Sequence, residues 1–155
     1  MGKQRIKDYP FLMDVEHIFL DTMFFIYHFE DNERFLRLTT DLLNLVEKGQ
    51  IRCSTSYLTM MELLIKPMKL NRQDLVEEYR MIFETFPNLS MIPLDKSVAY
   101  LAATFRALYN LKSADSIQLA SAAFAKCDLF LTNDKNLIQI KELKINYMDE
   151  IVSDS

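Results

Sequence analysis

A chain of 155 residues that is 50% hydrophobic and 26% charged has the size and composition of one soluble globular domain. Such a chain buries about two thirds of the surface its unfolded form exposes, with no disulfide or metal staple; its apolar content excludes disorder, and no unbroken apolar run reaches the ~18 residues of a membrane span. A formal net charge of -4 argues against a generally basic nucleic-acid binder, yet leaves a nuclease open, because a bound divalent cation reverses the local sign of an acidic site.

In chain order, the opening MGKQRIKDYPFLMDVEH is basic but holds no apolar stretch of signal-peptide length. Residues 1–16 read as an N-terminal extension of a single domain covering 1–155. His17 to Leu20 is a short apolar run ending at Asp21, as in a buried strand. Helical spacing follows at Phe24, Phe25 and Tyr27, then at Phe35, Leu38, Leu42, Leu45 and Val46, with Gly49 as a C-cap. Ile51 to Ser54 is the second expected strand, and Ser56 to Ile65 a helix stopped before Pro67. Asn71 is the expected N-cap of a helix through Leu75, Tyr79, Ile82 and Phe86. Leu89 to Ile92 is the third strand, followed by a helix capped by Asp95 and running through Val98, Leu101, Phe105 and Leu108. Ser113 opens an alanine-rich helix over 114–126, Asp128 to Thr132 is the fourth strand, and Ile145 to Met148 the fifth. Short apolar strands alternating with amphipathic helices predict an α/β sandwich, its parallel sheet covered on both faces. In such sheets the ligand crevice lies at the carboxyl ends of the strands.

Residue counts narrow the chemistry. Two glycines, Gly2 and Gly49, allow neither a P-loop nor a dinucleotide fingerprint. Two histidines, His17 and His28, do not make a zinc site of the usual kind, and no nucleophile elbow is present. With only Cys53 and Cys127, far apart in sequence, no disulfide framework is expected, which suits a reducing, cytoplasmic setting. Chemistry here falls to carboxylates. Asp21 and Asp134 follow strands, Asp115 opens a helix, and Glu62 sits on a helix apolar nearly all round, which predicts burial. Helix capping is the alternative role for each aspartate, and an edge position reaching water for the glutamate. Four converging carboxylates repel, and a hard divalent cation such as Mg²⁺ or Mn²⁺ is the natural compensation, with Lys135 the only adjacent base. Arg52, Lys66, Lys69, Arg72, Lys112 and Lys135 are placed near the crevice, as phosphate contacts or as plain solvated surface. The methionines read as core fillers and the run Phe24, Phe25, Tyr27 and Phe29 as packing rather than base stacking.

The segments IFLDT (18–22), TSYLTMMELL (55–64), LKSADSIQLASA (111–122) and LFLTND (129–134) resemble PIN-domain ribonucleases, the fold of VapC-type toxins, in the family's order and across most of the chain. The resemblance implies a three-layer α/β fold, with a central mostly parallel sheet of about five strands flanked by helices. It implies that Asp21, Glu62, Asp115 and Asp134 bind Mg²⁺ or Mn²⁺, that Thr132 helps orient the site, and that Asn133 assists. It further implies an endoribonuclease hydrolysing RNA phosphodiester bonds by attack of activated water, the toxin of a VapBC-type toxin–antitoxin pair. Such toxins dimerise and are silenced by an antitoxin covering the acidic pocket. The rival reading is a non-catalytic PIN module that binds RNA or a protein partner. Phosphoaspartate chemistry fits poorly, since Met23 stands where a second aspartate is needed.

Overall fold

The computed structural model describes residues 8–137 and 140–154. Its centre is β1 (His17–Leu20), which buries all four side chains. On either side of it lie β2 (Arg52–Ser56) and β4 (Leu129–Thr132); β3 (Leu89–Ile92) extends the sheet beyond β2, and β5 (Ile145–Tyr147) beyond β4. Every pairing in the order β3-β2-β1-β4-β5 is parallel. The helices among the described residues are α1 (Thr22–Phe29), α2 (Leu36–Glu47), α3 (Tyr57–Lys69), α4 (Gln73–Thr85), α5 (Lys96–Tyr109), α6 (Ser113–Phe124) and α7 (Met148–Ser153). A short 3₁₀ turn, Pro10–Leu12, precedes them.

A parallel strand needs both faces covered, and the alternation of side chains along β1 divides them. Ile18 and Leu20 join Leu129 and Leu131 on one face, under Phe24 and Phe25 of α1, Leu42 of α2, Leu63 of α3 and Phe83 of α4. Phe19 faces the other way and stacks on Phe130, ring centroids 5.1 Å apart, beneath Val98 and Phe105 of α5 and Leu119, Ala120 and Ala122 of α6. Truncating either phenylalanine would cost about 3–5 kcal/mol. The result is the three-layer α/β architecture the sequence predicts.

Several boundaries differ from expectation for local reasons. The helical pattern expected from Phe24 onward is two helices, with Asp31 at φ 52° in the break between them. Ser56 ends β2 and caps α3 from outside, accepting from the Thr59 amide at 3.3 Å. α3 runs through Pro67 instead of stopping before it; a proline in the last turn forfeits little pairing, and its ring is buried. Asn71 is not an N-cap but takes φ 52° in the left-handed turn between α3 and α4, a conformation asparagine tolerates. Gly49, at φ 74°, ends α2 as expected: its amide bonds the Val46 carbonyl, and that of Gln50 the Leu45 carbonyl. α7 was not anticipated, being six residues long and too short for a periodic signal.

The N-terminal extension contributes to the core where it is described. Tyr9 and Leu12 are buried, and the Tyr9 hydroxyl donates to Asp41 at 2.6 Å; residues 1–7 lie outside the described part. The methionines are not core fillers as a group. Met13, Met61, Met68 and Met81 are exposed, and only Met148 is fully buried among those described. The aromatic run does pack: Phe24 and Phe25 are core, Tyr27 stacks on Phe35 and Phe29 on Tyr79.

Candidate active site

The carboxyl ends of β1 and β4 lie side by side, since Leu20 is in register with Leu131. Asp21 leaves β1 there, and Asp134 follows β4 by two residues. The Asp21 carboxylate is held from both sides. Its Oδ1 accepts from the Thr22 amide at 2.8 Å and from Gln118 Nε2 at 3.2 Å. Its Oδ2 accepts from Thr132 Oγ1 at 2.7 Å. Thr132, fully buried, also accepts from the Asp134 amide at 3.1 Å, so one hydroxyl ties the two strand ends together. The Asp134 carboxylate closes its own turn by accepting from the Asn136 amide at 3.0 Å.

α3 and α6 bring the remaining acids. Glu62 Oε1 accepts from Thr22 Oγ1 at 3.4 Å. The expectation that its helix is buried all round does not hold. Glu62 is exposed, and Tyr57, Met61, Ile65 and Met68 form an exposed apolar flank along the same helix. A small hollow beside it, about 90 Å³, is lined by Ile26, Phe29, Leu63, Pro67 and Tyr79. Asp115 stands in the first turn of α6, where the helix dipole favours an anion.

Loss of water raises the carboxyl groups of Asp21, Glu62 and Asp115 above the usual range, and mutual repulsion adds to it. Asp134 acts on Asp21, Asp21 and Asp115 on Glu62, and Asp134 and Asp21 on Asp115. Hydrogen bonds from Thr132, Thr22 and Gln118 oppose the rise at Asp21. All four acids therefore share one electrostatic neighbourhood. They do not close into a cage: among the described residues no three His, Cys, Asp or Glu side chains come within metal-holding distance. The donor set itself, carboxylate oxygens with uncompensated charge, is of the kind a hard divalent cation takes.

Of the cations expected near the crevice, Lys112 acts on one of the acids and others are engaged elsewhere. Lys135 pairs with Asp149 at 3.2 Å, and Lys112 is the base that eases Asp115. Arg52 opens β2 opposite His17 and so lies at the amino end of the sheet, away from the crevice. Lys66 is bound to Glu30 and Arg72 to Asp74. Asn133 does not touch the four acids; it donates to the Tyr27 hydroxyl and accepts from the Asp149 amide, anchoring α7.

Sequence reasoning missed the polar residues under the acids. Gln118, 4% exposed, is in the same helix as Asp115 and donates to Asp21, Thr22 and Thr59, while its carbonyl accepts from Ser56 Oγ. The available signal was a glutamine flanked by Ile117 and Leu119, one turn from Asp115; a polar group buried there needs partners.

The family model of the PIN domain matches residues 18–143. No curated protein matches the chain. Among solved structures, VapBC2 from Rickettsia felis bound to a DNA fragment from its promoter is similar at TM-score 0.66 and 15% identity, covering 84% of this chain and 98% of that one. DNA-bound VapBC from Salmonella typhimurium is similar at 0.62 and 21%, covering 86% and 98%. A toxin–antitoxin complex from Klebsiella pneumoniae is similar at 0.62 and 20%, covering 81% and 94%. At these identities the likeness is one of fold.

Proposed function

The chain belongs to the PIN-domain family, and from that premise we propose that it is a metal-dependent endoribonuclease, the cytoplasmic toxin of a VapBC-type toxin–antitoxin pair. One observation carries the reading: hydrogen bonds through Thr132, Thr22 and Gln118 gather the carboxylates that follow β1 and β4 with those of α3 and α6 at the sheet's crevice, where like charges repel. A scaffold has no use for such repulsion.

Asp21, Glu62, Asp115 and Asp134 are the residues that would hold Mg²⁺ or Mn²⁺. Bound there, the cation supplies neutralisation of the acids, polarisation of a phosphate oxygen and a more acidic water. The chain's own residues do the rest. Thr132, Thr22 and Gln118 hold Asp21 in one orientation. Glu62, with Oε1 engaged by Thr22, leaves Oε2 to hold the attacking water by a hydrogen bond. Asp115 and Asp134 set the far side, against the N-terminus of α6 and the turn after β4.

The proposed partners are an RNA substrate, an antitoxin and a second copy of the chain. The exposed flank of α3, with Tyr57, Met61, Ile65 and Met68 beside Glu62, supports an antitoxin that covers the site. Tyr100 and Leu108 leave apolar surface on α5 for a dimer. No helix among the described residues is long and apolar enough to cross a membrane.

The test is cleavage of single-stranded RNA in Mn²⁺ by the parent and by Asp21→Asn and Asp115→Asn. Each variant should lose at least about a thousandfold in kcat, more than the 10–100-fold typical of outer-shell partners, with its circular dichroism unchanged. Full activity in both would remove the assignment. Among the described residues the acids form no closed three-carboxylate cage, which suits the second reading, a non-catalytic module binding RNA or a protein partner. That reading predicts RNA binding without cleavage and melting indifferent to Mn²⁺.

A further inference from the structure

The polar side chains beneath the acids form a hydrogen-bond chain whose direction is determined. Ser56 Oγ accepts from the Thr59 amide, so its single proton is available to Gln118 Oε1, which it contacts. The Asp21 carboxylate, which only accepts, fixes the amide rotamer: the NH₂ faces the acids and the carbonyl faces Ser56. The NH₂ lies 2.8 Å from Thr59 Oγ1, 3.2 Å from Asp21 Oδ1 and 3.3 Å from Thr22 Oγ1. With Thr59 accepting from Gln118, its proton turns to Thr22, 3.2 Å away, and the Thr22 proton goes to Glu62. Ser56, Thr22, Thr59 and Gln118 are all buried, and among the described residues no buried side-chain nitrogen or oxygen lacks a partner. One amide thus touches Asp21 directly and reaches Glu62 through two hydroxyls. It does so from the helix that carries Asp115.

We propose that Gln118 is the positioning residue of the acidic site, its amide, bonded to Ser56, setting Asp21 directly and Glu62 through Thr59 and Thr22 in fixed relation to Asp115. This rests on the nuclease reading and deepens it. The hydrogen-bond chain accounts for a buried glutamine between Ile117 and Leu119: an aliphatic residue would pack as well but would leave Asp21 with only its Thr22 and Thr132 donors. Outer-shell groups of this kind tune metal affinity and turnover without meeting substrate.

Gln118→Met keeps the side-chain length and removes the amide. Thr59→Val keeps shape and removes the shorter of two routes to Thr22 and Glu62, leaving the Asp21 contact and the direct 3.3 Å contact to Thr22. Three readouts are taken for each: Mn²⁺ affinity by calorimetry, kcat and KM on a short oligoribonucleotide, and the crystal structure of the metal-free variant. For Gln118→Met the expected result is a folded protein whose Mn²⁺ Kd rises about 10–100-fold, with kcat lower by a similar factor and KM within about twofold. Its Asp21 carboxylate should be turned from the parent position. Thr59→Val should move Glu62 alone and give the smaller loss. A folded Gln118→Met with parental Mn²⁺ affinity and kcat, or with Asp21 and Glu62 unmoved, overturns the proposal. If Gln118→Met does not fold, Ser56→Ala, which removes the donor to the amide carbonyl, takes its place under the same criteria. Should the parent itself neither bind Mn²⁺ nor cut RNA, the nuclease reading falls. The crystal structures would still judge the positioning, an unmoved Asp21 counting against it and a turned one for it.

Discussion

The two ends of the sheet bury polar groups in opposite ways. At the amino end, Asp128 Oδ2 accepts from the Glu16 and His17 amides, both at 2.9 Å, and His17 Nε2 lies 2.6 Å from Ser54 Oγ. Burial pushes the nearby thiols of Cys53 and Cys127 up to about 12, so both stay protonated and inert. At the carboxyl end, Asp21 also collects three donors, but three more carboxylates act on the same space. At the amino end the polar groups are paired, with the Asp128 carboxylate still open to water. At the other, hydrogen bonds orient charge without neutralising it, and that surplus distinguishes a site from a well-packed edge.

The comparison sharpens most under added metal. With Mn²⁺ at a hundred times its Kd the parent should gain about 2.7 kcal/mol, or ~5–10 °C in Tm for a domain of this size. Asp115→Asn should lose most of that gain and Asp128→Ala none of it. Equal loss in both would erase the distinction between the ends. Next in size is the structural role of Asp128. Asp128→Ala strands two backbone amides and should cost about 1–2 kcal/mol in urea titration, while kcat on RNA is unchanged.

A smaller effect is the response to pH. Burial, followed by the Arg52 charge, lowers His17 below its usual value of 6.5, with Asp128 acting in the opposite sense. The unfolded chain therefore binds the proton first. Stability from this group is whole above pH 6.5 and is lost as the pH falls from there through the folded value. His17→Gln should flatten the fall in Tm between about pH 7.5 and 5.5. The acids carry the opposite sign. Asp21, Glu62 and Asp115 titrate above their unfolded values, so the metal-free fold bears their cost at neutral pH and recovers as the pH falls through the folded values. Least of all, metal-free Asp115→Asn should melt about 1–2 °C above the parent at neutral pH, as one repulsive charge is removed.

Particular residues show how far sequence patterns reach. The strand ends at Asp21 and Asp134 were legible because four-residue apolar runs stop there. Asp95 was legible as a cap, and it does accept from the Val98 amide at 2.9 Å. Glu62 was chosen for a wrong reason: an apolar helix was equated with a buried one, whereas α3 keeps Met61, Ile65 and Met68 in solvent. Asn71 was misread because a left-handed turn and a cap favour the same residue type. Gln118 carries only a weak local mark, its place between Ile117 and Leu119, while its partners lie 59 to 97 residues away.

Local periodicity and strand-end positions were thus enough to determine an α/β sandwich and which acids stand at the mouth of its sheet. They suffice because burial and capping act between neighbours in the chain. The tertiary structure alone decided which apolar helix face stays in water and how Gln118 joins Asp21 to Glu62. Those outcomes depend on distances between elements far apart in sequence, and a carboxylate's charge and orientation answer to whatever packing brings beside it.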